Sequence, residues 1–148
     1  MATPVPIDTN VRLASMRQIH CAIDHLHRGD YECAITLAGA AEGILPETGK
    51  PHFRQKVKEL SKELSKLPEI QETGGAIGPN DYINWLKHGS LERGGPRLET
   101  ATIPVMESVI VVYRAITKYH AVYDDLSPQM LSYLSWAKVW MMTGVNDR

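Results

Sequence analysis

A Gly29-Asp30 turn between two stretches of helical periodicity constrains this 148-residue chain more than any other feature. Residues 17–45 read RQIHCAIDHLHRGDYECAITLAGAAEGIL. Before the turn, Met16, Ile19, Ile23 and Leu26 recur at three- and four-residue steps, which puts them on one stripe of a helix. Gly29 can take the left-handed conformation that ends a helix. Asp30 is a preferred N-cap, whose carboxylate can accept the first free amides of the next helix. With no residues to spare, the two helices must lie side by side. The second sets Ala34, Ala38, Gly39, Ala40 and Ala41 among Tyr31, Ile35, Leu37, Ile44 and Leu45. Small side chains let a neighbouring backbone approach, while the large ones bury area at roughly 25 cal/mol per Å². That mixture predicts a central helix.

The rest of the chain repeats the helical period. Pro4 and Pro6 keep the first residues extended, and Asp8 or Thr9 is expected to cap the first helix. Pro51 opens an amphipathic pattern through Phe53, Val57, Leu60, Leu64 and Leu67, closed by Pro68. Residues 68–80 are rich in Gly and Pro and predict a loop. A short helix, DYINWLKH, starts at Asn80 or Asp81 and stops at Gly89. After a second loop, a long helix is expected from about Thr100 to Leu126, with the apolar centre VIVVY. Asp124-Asp125 would be repelled by a helix C-terminus and fits the turn before Ser127-Pro128 better. There the last helix begins, with Tyr133, Trp136 and Trp140 on one face. Strand alternation and internal repeats are absent. The expectation is an all-α, compact antiparallel bundle of about five to six helices in one domain, residues 1–148, with the core hairpin at about 12–45 and the C-terminal helix at about 128–143.

Composition narrows function by exclusion. Forty-three percent hydrophobic and 22% charged residues argue against disorder, and a net charge of −1 gives no general attraction to nucleic acid or anionic membrane. The N-terminus lacks the basic start and apolar run of a signal peptide, and no stretch reaches the ~20 apolar residues of a membrane span, so a cytoplasmic protein is expected. Cys21 and Cys33 have no CxxC spacing and are expected as buried free thiols.

Four groups of residues invite functional readings. His20, Asp24 and His27 stand at i, i+4 and i+7, beside Cys21 and His25, but one helix supplies only part of a tetrahedral metal site. A polar rim is the preferred reading, with no cofactor. Lys50 to Lys66 carries six positive against two negative residues. Its interleaved glutamates are ordinary for a solvated helix, and Asp30, Glu32, Glu42 and Glu47 offer internal counter-charges, so RNA binding there is the minority reading. The last helix has one charge, Lys138, and two apolar faces, which predicts a homodimer through residues 130–142, the helix at 103–123, or both. Finally His88, beside Lys87 and near Arg93 and Arg97, has the chemistry of a general acid or base on a phosphodiester with cations holding the phosphate. The competing reading is a surface histidine complementing a helix C-terminus.

The hairpin AIDHLHRGDYECAITLAGAAEGIL, the basic helix and NWLKHG ahead of a long helix together resemble the HEPN superfamily of small helical bundles, over about residues 12–126. Catalytic members of that superfamily are metal-independent ribonucleases whose site forms across a dimer, from an Arg, a polar residue after it and a His after four to six residues. The resemblance places the histidine at His88 and the polar residue at Asn84. The arginine position falls on Ile83, with Tyr82 and Asp81 at the alternative spacings, and none is cationic. A preorganised cation of this kind is worth a few kcal/mol (~3) to the barrier. Lys87 and Arg93 are the candidate substitutes. The resemblance therefore implies a non-catalytic interaction or RNA/nucleotide-associated module. A metal-independent endoribonuclease of toxin or defence type is the alternative, and a helical metal-binding protein the third.

Overall fold

The computed structural model of the protein describes residues 3–49 and 80–143. The helix expected from Pro51, the stripe Lys50–Lys66 and the loop 68–79 lie outside the described residues. Among those described, all regular structure is helical: α1 Val11–His27, α2 Tyr31–Ile44, α3 Asp81–His88, α4 Val105–Tyr123 and α5 Pro128–Thr143. The helices pack extensively on one another, so the all-α bundle stands.

The hairpin closes as its sequence requires. Gly29 has φ 86, and the amides of Gly29 and Asp30 donate back to the carbonyls of Leu26 and His25 at 3.0 and 2.8 Å. Two capping details differ from expectation. The N-cap of α1 is Asn10, not Asp8 or Thr9, and its Oδ1 accepts from the Leu13 amide at 2.8 Å. Asp30 is the N-cap of α2 but makes no side-chain cap bond. Its carboxylate turns back to α1 instead, 3.3 Å from His25 Nδ1 and 3.7 Å from Arg28 Nε.

Helix α2 is central, packing on α1, α3 and α4. Ala34, Ile35, Ala38 and Ala41 meet the α1 stripe Ile19, Ala22, Ile23 and Leu26, and behind them lie Val109, Val112, Ala115 and Ile116 of α4. Cys21 and Cys33 are both exposed, contrary to expectation. Each falls just outside its helix's buried stripe, and position on the helix outweighs the thiol's preference for burial.

Helix α4 is shorter than its hydropathy suggests. It starts at Val105, because Pro104 occupies the N-cap and disfavours helical geometry at Ile103 before it. It ends at Asp124, which is left-handed with φ 51, and Asp125 pairs with Arg12 at 3.0 Å. Among the described residues no helix is long and apolar enough to cross a membrane.

Candidate functional site

The residues singled out on α3 sit in a small, tightly sewn unit. Gly89 ends α3 with φ 74, its amide bonding the Trp85 carbonyl at 2.8 Å. The chain then doubles back. The Leu98 amide donates to the Gly89 carbonyl at 2.8 Å, and Trp85 Nε1 donates to the Leu98 carbonyl at 2.9 Å. Asn84 Nδ2 donates to the Leu91 carbonyl at 3.3 Å, so this amide braces the loop. Arg97 lies across Gly89, where a Cβ would meet its Nη1 at 3.5 Å, and its Nε donates to Glu99 at 2.9 Å. Lys87, His88, Arg93 and Arg97 are all exposed. Folding therefore brings Arg97 to the residue beside His88, a proximity invisible in the sequence order.

Ile83, where the resemblance asks for arginine, lies against α2. A Cβ on Gly39 would come within 3.2 Å of Ile83 Cδ1. The absence of a side chain on Gly39 makes room for Ile83, which is partly buried in an apolar contact there. Next to it Tyr82 is buried, and burial raises its phenol pKa, reinforced by Glu107 and Asp81.

A second polar cluster joins α2 to α4. Arg114 Nη2 donates to Glu42 Oε1 at 2.8 Å, with the two side chains only 14% and 17% exposed. Lys118 Nζ donates to the Glu42 carbonyl at 2.9 Å and to Glu47 Oε1 at 3.3 Å. Glu42 Oε2 and Arg114 Nη1 are buried without a hydrogen-bond partner among the described residues. Glu107 is half-buried, and burial raises its carboxyl pKa against the opposing pull of Arg114. This network was not foreseen. Its signal was present, since Arg114 and Lys118 lie four residues apart in a helix with a strongly apolar centre, and buried charges require partners. Glu42 and Glu47, two of the acidic residues the sequence offers as counter-charges to Lys50–Lys66, meet α4, and that stripe lies outside the described residues.

The third region lies between α1 and α5. His20 Nε2 and Ser127 Oγ are 2.8 Å apart, and the same Oγ accepts from the Met130 amide at 3.2 Å, capping α5. Burial lowers the His20 pKa despite Asp24, favouring the neutral ring that can accept the serine proton. His27 meets Trp136 edge-on at 4.6 Å, and Trp136 stacks on Trp140 at 6.0 Å. Of the weak metal candidates His20, Asp24 and His27, the first is thus engaged by Ser127 and the third by Trp136. No group of three His, Cys, Asp or Glu residues able to hold a metal occurs among the described residues. His27 and Trp136 also line a groove of about 400 Å³, together with Ile23, Pro128, Gln129, Ser132 and Tyr133. On α5 itself Leu131, Val139 and Met142 are 52%, 62% and 76% exposed.

No protein-family model matches the chain, and neither the curated proteins nor the solved structures contain a significant match to it.

Proposed function

We propose that this chain is a non-catalytic, HEPN-like interaction module that self-associates through α5. The observation that carries this reading is Ile83. The position that would supply the phosphate-binding cation of a ribonuclease holds an apolar side chain packed on Gly39, and Asn84 beside it is committed to the Leu91 carbonyl. Without a cation at the position the catalytic pattern assigns to it, His88 lacks the charge that pattern supplies for phosphodiester cleavage. What α5 offers instead is apolar surface, with Leu131, Val139 and Met142 exposed, of the kind that partners cover. Lys87, Arg93 and Arg97, exposed around the end of α3, are the groups that RNA or a nucleotide would meet. The test is RNA cleavage by the purified protein in chelator, with His88→Ala prepared identically. Equal, background-level activity is the expected result, and cleavage lost in the variant would overturn the reading.

One observation favours a second reading, a metal-independent endoribonuclease. Arg97 lies against Gly89, beside His88, and in that reading it replaces the missing arginine. Cleavage would then be lost in both His88→Ala and Arg97→Ala, while Ile83→Val would retain it.

A further inference from the structure

Ser127 makes two bonds at the start of α5. Its Oγ accepts from the Met130 amide at 3.2 Å and lies 2.8 Å from His20 Nε2. Capping a helix needs only the first of these. The amide takes one lone pair of the oxygen, and the hydroxyl proton has no acceptor other than His20 Nε2 among the described residues. A hydroxyl within hydrogen-bond reach of an imidazole is the arrangement that activates a serine as a nucleophile. Both side chains are only partly buried, so a small molecule can reach them.

The surroundings favour proton transfer in that direction. Burial lowers the His20 pKa, which keeps the ring neutral and able to accept, and Asp24, acting in the opposite sense, favours the imidazolium once the proton has moved. The first turn of α5 supplies the complement. Pro128 has no amide hydrogen, Met130 donates to Ser127 Oγ and Leu131 donates to the Ser127 carbonyl at 3.0 Å. That leaves the Gln129 amide as the donor of this turn not taken up among the described residues, at the positive end of the helix dipole. No Lys or Arg hydrogen bonds to Ser127 or His20 among the described residues, and the charge acting on the pair is that of Asp24. The site therefore suits a neutral carbonyl rather than an anionic phosphate.

We infer that Ser127 is a reactive serine, with His20 as its general base, that accepts an acyl group from small activated esters. Ser127 Oγ forms a bond to the carbonyl carbon as its proton passes to His20 Nε2. The bond from that carbon to the leaving oxygen then breaks, and the leaving alcohol takes the proton from Nε2. The product is an acyl ester on Ser127, a covalent modification of the chain that requires no turnover and uses none of the α3 residues.

The experiment treats the full chain with p-nitrophenyl acetate and locates the acetyl groups over time by peptide mass spectrometry. Ser132 and Ser135, exposed on the same helix and bonded to no histidine among the described residues, are the internal references. Ser127 should be acetylated about a hundredfold faster than either, the least that a positioned general base contributes. In His20→Gln its rate should fall to theirs. Ser127→Asn, which keeps an oxygen for the cap but has no hydroxyl, should lose this acetyl group alone, with circular dichroism unchanged in both variants. Equal rates at the three serines of the parent chain would overturn the inference. So would a Ser127 rate undiminished in His20→Gln, or acetyl groups confined to cysteine and lysine.

Discussion

Helices α4 and α5 are both rich in large apolar residues, yet the bundle uses them in opposite ways. Around α4 nearly every face is covered, with Val109, Val112, Ala115, Ile116 and Tyr119 buried and the cations Arg114 and Lys118 taken up by Glu42 and by Glu47 and a backbone carbonyl of the α2 end. In α5 one face, Met130, Tyr133 and Ala137, joins the core, and Tyr133 donates to the Val109 carbonyl at 2.7 Å. Met141 is buried with them and Leu134, Trp136 and Trp140 pack partly against the core, while Leu131, Val139 and Met142 face outward. Apolar content alone therefore does not say whether a helix belongs to the interior or to an interface. The neighbours a helix finds decide it: among the described residues α5 packs chiefly on α1 and α4, whereas α4 packs on α1, α2 and α5.

The largest effect that separates the two helices is truncation. Ile116→Ala should cost about 3–4 kcal/mol of unfolding free energy, whereas Leu131→Ala should change it by less than about 0.5 kcal/mol. Urea denaturation of both variants measures the gap, and equal losses would erase the distinction. Next comes the charge that α4 keeps inside. Arg114→Met leaves Glu42 largely buried without its counter-ion, an expected loss of about 3 kcal/mol, and Glu42→Leu in the same chain should restore most of it. A single variant as stable as the parent would show that the pair is screened by solvent.

A smaller effect concerns α3. Ile83→Arg, which installs the residue the catalytic pattern asks for, should cost about 2 kcal/mol because the guanidinium must displace the contact with Gly39. It should also confer no RNA cleavage. Cleavage gained without loss of stability would reverse the argument made from this position.

The smallest effect is in pH. His20 has its pKa lowered from the ordinary 6.5 by burial, so below that value the unfolded chain binds more protons than the folded one. Stability should fall as pH drops below about 6.5 and rise again as pH is restored. Glu107, raised from 4.5, acts in the opposite sense: the folded chain holds the extra proton, and stability falls as pH rises through the window just above 4.5. Urea midpoints across pH should lose the first slope in His20→Gln and the second in Glu107→Gln. Slopes unchanged by these substitutions would assign them to other groups.

The sequence made the local turns and caps legible wherever a single residue type decides them. Gly29 and Gly89 end helices at positive φ where their patterns stop, and the periodicity of residues 16–26 marks the buried stripe. Legibility failed where the outcome depends on what lies across space. Pro104 trimmed α4 by competing with its hydropathy, Asp30 preferred α1 side chains to its own amides, and Cys21 missed the core by its place on the helix. The candidate site divides the same way. His88 at the end of α3 and the apolar Ile83 could be read from spacing, but the doubled-back loop that lays Arg97 across Gly89 could not. Nor could the α2/α4 charge network, because an ion pair 72 residues apart has no local signature.

The central claim is that α5 serves association, and sedimentation equilibrium of the full chain against Val139→Asp tests it most directly. Val139 is 62% exposed, so the substitution leaves the fold intact. The account predicts a two-chain species for the parent and a single-chain species for the variant, with identical circular dichroism. A parent that remains a single chain, or a variant that dimerises as well as the parent, would contradict it.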